Sequence, residues 1–228
     1  MLKKASIGIL ILMVCLFGLN LKVTTSQGVN YVVTTKKIPL YLKMLDFFDR
    51  HFNYIELTRT ITAGCPDENE RIQKIFEWAY RNINKNPQEL PVIDDHVWHI
   101  IVRGYGTDDQ ITDAFTTLCA YAGHKSYFTI YDKGLQGRHV LAFVEVDKEW
   151  RIFNPSIGVF LKNKRNDFAT YKDIASGAYE IFSIEKGPPE DYDKVLKDII
   201  TSQGTDIARA EIQSPLNRLK HEIRKWMP

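Results

Sequence analysis

An α+β fold is expected from three observations. Between residues 40 and 122, apolar residues recur at three- and four-residue steps, the period of helices packed by one face. Between residues 126 and 153 the pattern switches to period two, the mark of half-buried strands. Asp147-Lys148 then makes a tight turn between two of those strands, which requires them to be antiparallel. Helices followed by an antiparallel meander argue α+β rather than an alternating parallel sheet.

The helices are justified one by one. Leu40–Arg59 places Leu42, Leu45, Phe48, Phe52 and Leu57 near helical spacing. Gly64-Cys65-Pro66-Asp67 stops that helix and starts the next, with Asp67 as N-cap and Glu70 as its capping-box partner. Ile72, Ile75, Phe76, Ala79 and Ile83 line one face of this second helix, expected to end near Asn86-Pro87. Residues 94–103 predict a short helix leading into Gly104-Tyr105-Gly106. A third long helix runs from Asp109 to Ala122, with Gly123 as its C′ residue.

Strands are predicted at Ser126–Tyr131, His139–Val146 and Glu149–Phe153, the last ended by Asn154-Pro155 because proline cannot donate to a ladder. Phe168–Gly177 reads as a short helix and Tyr179–Ile184 as a closing strand. From Glu190 the tail is helical and polar, with a break near Gly204 and Pro215. Four parts follow: a leader (1–25), a polar tether (26–38), one domain (39–187) and a C-terminal helical tail (188–228).

The 228 residues carry 30 Lys+Arg against 28 Asp+Glu. Three of the lysines, Lys3, Lys4 and Lys22, lie in residues 1–25, which have no acid, so the remainder holds 27 against 28. The body therefore has no bulk electrostatic reason to bind nucleic acid. Ala5–Leu21 is uncharged over 17 residues and follows two lysines. That suits one hydrophobic N-terminal helix, either an uncleaved single-pass membrane anchor through residues 5–21 or a signal sequence removed on export. In both cases residues 26–228 are expected to face an exported aqueous compartment. The basic tail helix (Arg209, Arg218, Lys220, Arg224, Lys225) could touch anionic headgroups if the domain sits close to its anchor.

Cysteine is scarce. Beyond Cys15 in the leader only Cys65 and Cys119 remain, and Cys119 reads as a small buried hydrophobe. His96-x-x-His99, with Asp94, Asp95 and Asp108, suggests a metal, but nothing fixes a third ligand. No metal and no cofactor is expected.

One constellation bears chemistry. A glycine-flanked turn opens a buried helix at Asp108; a histidine, His139, starts a strand; Asn154 ends the next strand of the same hairpin. A helix N-terminus favours an anionic nucleophile, a neighbouring histidine can take its proton, and an amide beyond can hold the imidazole tautomer. Gln110 could donate to an oxyanion, and Tyr105 and Trp150 could line the cleft.

Roughly residues 55–160 resemble the transglutaminase-like superfamily of papain-type cysteine enzymes. The resemblance is carried by the paired-helix stretch ELTRTITAGCPDENERIQKIFEWAYRNI, then GYGTDDQITDAFTTLCAYAGHKSYF, HVLAFVEVDKEW and RIFNP. In the family the last two segments read His-Ala-Trp-x-Glu-Val, then Trp, then Asp-Pro. It implies a papain-like core of N-terminal helices packed on an antiparallel sheet. It also implies a triad at positions 108, 139 and 154, with Asp108 where the family keeps its nucleophilic cysteine. Cys119, eleven residues on, stands about three turns down the same helix.

Three functions stay open on this reading. The first is a pseudoenzyme that binds a peptide, protein or polymer at the cell envelope. The second is an active hydrolase or acyltransferase on amide bonds, with Asp108 and His139 activating a water. The third is a structural assembly protein of envelope or polysaccharide machinery. Oligomeric state is not indicated.

Overall fold

The computed structural model describes residues 2–29, 32–92, 96–132, 138–185, 187–188, 192–201 and 213–226. The apolar leader is helix α1 (Leu2–Asn20). Among the described residues no helix is long and apolar enough to cross a membrane, so the expected span has no such support.

The stretch read as a tether is a hairpin instead. Strands β1 (Lys22–Val29) and β2 (Val32–Pro39) pair antiparallel from Lys22↔Pro39 to Val29↔Val32. Paired Val and Thr runs supply the β-branched residues that favour this conformation. Helix α2 (Leu40–Ile61) follows at once. Helix α3 (Glu68–Asn82) starts as expected, the Asp67 carboxylate accepting the Glu70 N–H at 3.0 Å. It ends before the predicted Asn86, because Asn84–Lys85 (β3) leaves it to pair with Tyr105–Gly106 (β4) in parallel. Between them α4 (Val97–Arg103) stops at Gly104, whose φ of 71° only glycine adopts readily. Asp94 and Asp95 lie outside the described residues.

Helix α5 (Asp108–Tyr121) is the centre of the fold. Every residue from Ile111 to Cys119 is buried, not the one face that periodicity suggests. Two of its buried threonines return hydroxyls to their own helix: Thr112 to the Asp108 carbonyl (2.6 Å) and Thr116 to that of Asp113 (3.1 Å).

A five-stranded antiparallel meander packs on α5: β5 (Ser126–Asp132), β6 (Arg138–Val146), β7 (Glu149–Asn154), β8 (Val159–Asn163) and β9 (Tyr179–Ser183), in that order. Asp147 and Lys148 turn the β6–β7 hairpin with φ of 53° and 62°. One sheet face, with Ala142, Val144, Phe153 and Phe160, meets α3 and α5, and Phe76 rings it at 5.4–5.8 Å from Phe115, Phe153 and Phe160. The other face, with Leu141, Phe143, Ile152 and Leu161, lies under α6 (Tyr171–Ala175) and α7 (Tyr192–Thr201). Helix α8 (Pro215–Trp226) packs beside α2. Pro215 is thus a helix start, not a break; Gly204 lies outside the described residues.

Candidate functional site: the α5 N-terminus and the Lys85–Ser156 cleft

The turn before α5 is stitched to the end of α3. Asn84 N–H donates to the Gly104 carbonyl (2.8 Å) and Asn86 N–H to that of Gly106 (2.9 Å). A Cβ on Gly106 would stand 3.0 Å from the Gln110 Cβ, so the turn needs its glycine. Gln110 then folds back, its Oε1 accepting the Thr107 N–H at 3.2 Å. Its carbonyl is thus used in a capping box.

Asp108 is the first residue of α5, as expected, and the β3–β4 bridge decides its partner. Lys85 Nζ lies 3.0 Å from the Asp108 carboxylate, with both side chains partly exposed. The carboxylate is held by the helix N-terminus on one side and an ammonium on the other.

His139 does not face it. The short turn from α5 into β5 makes the two antiparallel, so β6 begins at the end of the sheet where α5 starts. The end is therefore right, and the face is wrong. Ala142, Val144 and Val146 pack with α5, while Leu141 and Phe143 pack on the α6–α7 side. The β5–β6 register runs unbroken from Asp132↔Arg138 to Ser126↔Val144, so His139 shares the side of Leu141. Its ring meets that of Tyr192 of α7, edge to face at 6.2 Å. Strand alternation thus separates His139 from Asp108, and the expected meeting of the two is corrected.

Asn154 is also on the α7 side, and only 2% exposed. Its Oδ1 accepts the Ser156 hydroxyl at 3.0 Å, and its amide bonds the Tyr192 hydroxyl. Burial raises the Tyr192 hydroxyl pKa, and the Asn154 bond pulls it the other way. The β6–β7 register pairs Ala142 with Phe153. Continued by one step, it sets Leu141, not His139, opposite Asn154.

The neighbouring cleft, about 600 Å³, is lined by Tyr80, Arg81, Ile83, Asn84, Lys85, Ser156, Ile157, Glu185 and Gly187. Lys85 is the partner of Asp108 and Ser156 that of Asn154, so the cleft touches both positions through their neighbours. The Tyr80 hydroxyl donates to Glu185 at 3.3 Å across it. Gln110, Tyr105 and Trp150, expected to bind substrate, are not among its lining residues. Trp150 packs edge-on to Tyr127 at 5.0 Å on the α6–α7 side, and the exposed Tyr105 gives its carbonyl to Arg103 Nε at 3.0 Å. Tyr80, Lys85 and Ser156 had no sequence signal: each becomes a site residue only through long-range pairing.

Cys119 is fully buried, and burial pushes its thiol well up. Cys15, Cys65 and Cys119 are all free. The His96 and His99 rings lie 5.7 Å apart, and among the described residues no cluster of three or more ligating side chains could hold a metal.

Helices leading into a five-stranded antiparallel meander make this an α+β fold. No family model matches the chain, and no curated protein matches it. Solved structures similar to it include a candidate cysteine protease from Cytophaga hutchinsonii (18% identity, 57% of this chain, 46% of that one, TM-score 0.40). Another is a candidate protease from Parabacteroides distasonis (12% identity, 73% of this chain, 39% of that one, TM-score 0.38). A third is a TGase (11% identity, 58% of this chain, 43% of that one, TM-score 0.33). The chain spans less than half the length of each of these three.

Proposed function

We propose that this is a transglutaminase-like domain held at a membrane on its exported side, which binds a peptide or polymer in the Lys85–Ser156 cleft without cysteine-type chemistry. The observation that carries the reading is the Asp108–Lys85 ion pair at the start of α5, the place of the family's nucleophile. A carboxylate there is a poor acyl acceptor, because a mixed anhydride would collapse. Cys119, about 16 Å along the helix and fully buried, cannot stand in for it. The hydrolase reading needs His139 beside Asp108, and strand alternation supports the opposite arrangement.

Two measurements test this. Wild type, Asp108→Asn and His139→Ala should show the same background turnover on amide and ester substrates; wild-type turnover that either variant abolishes overturns the proposal. Asp108→Cys should place a thiol beside Lys85 and the helix N-terminus, both of which favour the thiolate. It should react with iodoacetamide about tenfold faster than the Cys65 thiol of the same chain. Equal rates would remove the argument that the nucleophile place survives as an open pocket.

A further inference from the structure

The outer helices are turned inside out. Helix α8 lies along α2, and the depression between them is lined by His51, Ile55, Ser214 and Asn217. The polar side of α8 therefore faces the domain, and His221 on that side is half-buried. At about 100° per residue, Leu216, Leu219 and Ile223 fall within one arc of roughly 60° on the opposite side. All three are exposed, Leu219 by 57%. A helix that packs on a soluble domain normally points such a stripe at the core.

Helix α2 repeats the pattern. Tyr54 and Thr58 are buried, while Leu45, Phe48 and Phe52, at steps of three and four on the other side, are exposed, Phe52 by 64%. The start of α2 is tied to the end of α1: Leu40 N–H donates to the Leu21 carbonyl (2.8 Å) and Lys43 Nζ to that of Thr24 (2.7 Å). Phe17 of α1 and Leu21, just after its end, are exposed as well.

Charge selects the occupant. Residues 21–61 contain Lys22, Lys36, Lys37, Lys43, Arg50 and Arg59 against Asp46, Asp49 and Glu56, a basic excess. On α8, Lys220 and then Arg224 lie beyond one edge of the apolar stripe and Glu222 beyond the other, and the helix as a whole carries four cations against that one acid. A second copy docked symmetrically on this stripe would bring like charges together. A surface that is apolar in the middle and anionic around it fits. We propose that the outer faces of α2 and α8 seat the domain on a bilayer rich in anionic lipid, with the stripes in the headgroup–acyl boundary. This rests on the membrane part of the proposed function and adds the surface and the lipid chemistry.

The test uses the full chain with phosphatidylcholine vesicles, with and without roughly one third phosphatidylglycerol. Flotation reads attachment, and hydrogen exchange reads the faces. With the anionic vesicles, amides of 41–52 and 214–226 should exchange about tenfold more slowly, while those of α5 stay unchanged. Leu219→Glu/Ile223→Glu should abolish the slowing. Lys220→Glu/Arg224→Glu should weaken it roughly fivefold or more per charge, and high salt should mimic that loss. A chain that floats with no slowing in α2 and α8 overturns the docking and leaves the membrane reading standing. A chain that floats with neither vesicle overturns both. A dimer without vesicles, broken by Leu219→Glu/Ile223→Glu, assigns the stripe to a second copy and overturns the lipid proposal.

Discussion

Asn154 is the position where a triad residue and a structural pin make opposite predictions. A tautomer-holding amide can be deleted with little cost to folding. An amide whose two ends are consumed in the interior cannot. Asn154 is buried, with Oδ1 taken by Ser156 and its amide by Tyr192, itself 2% exposed. Tyr192→Phe leaves the Asn154 amide without that acceptor, at about 1–3 kcal/mol. Asn154→Ala strands both hydroxyls and opens a small void, so about 2–4 kcal/mol is expected. In the double variant neither member of the Tyr–Asn bond is left stranded by the other. The two costs should then fall short of additive by about 1 kcal/mol or more. Urea unfolding followed by tryptophan fluorescence gives the cycle. Hydrogen exchange in α7 gives its local form, with roughly fivefold faster exchange per kcal/mol lost. Additivity within about 0.5 kcal/mol, or an Asn154→Ala cost below that, would refute the pin.

Two further predictions concern stability. Gly158 has φ of 67° and its Cβ would stand 2.8 Å from the Tyr80 ring. Gly158→Ala should therefore cost roughly 2–5 kcal/mol in urea unfolding, falling to about 1–2 kcal/mol when measured against Tyr80→Ala. Burial holds the buried His124 below the ordinary histidine value of 6.5. The fold thus favours its neutral form: that stability is fully present above pH 6.5 and drains as pH falls toward the lowered folded value. His124→Phe should flatten the loss of urea midpoint below pH 6.5, and His51, lowered by the same cause, supplies the part that remains. An unchanged pH profile would refute the assignment.

Local chemistry was the legible part of the fold. Asp67 capping α3, Gly104 ending α4, Gly123 after α5 and the Asp147-Lys148 turn each act within a few residues, and each stands where the sequence predicts. Strand β8 was missed because Val159, Phe160 and Leu161 are buried in succession between two cores, which erases alternation. The hairpin of β1 and β2 was read as a tether because both its strands are polar. Helix α5 looked amphipathic because its buried threonines are polar by type; Thr112 and Thr116 satisfy their hydroxyls on its own backbone.

At the site the pairing of the hairpin was legible, and the face it turns to α5 was not. A two-residue turn at Asp147-Lys148 forces Val146 opposite Glu149, and each step outward keeps the pairing in phase. Five steps bring Asn154 opposite Leu141. The face of Ala142 and Phe153 is the one against α5, but Leu141 and Phe143 make the other face equally apolar, so only the packing tells the two apart. His139, in phase with Leu141, is on the far face. The Asp108–Lys85 pair had no such route. It depends on a two-residue parallel bridge between segments some twenty residues apart, too short to leave a period in the sequence. Charge at the mouth of the cleft is therefore a tertiary property here, and so is the face on which His139 stands, because residues 140–144 are apolar on both sides.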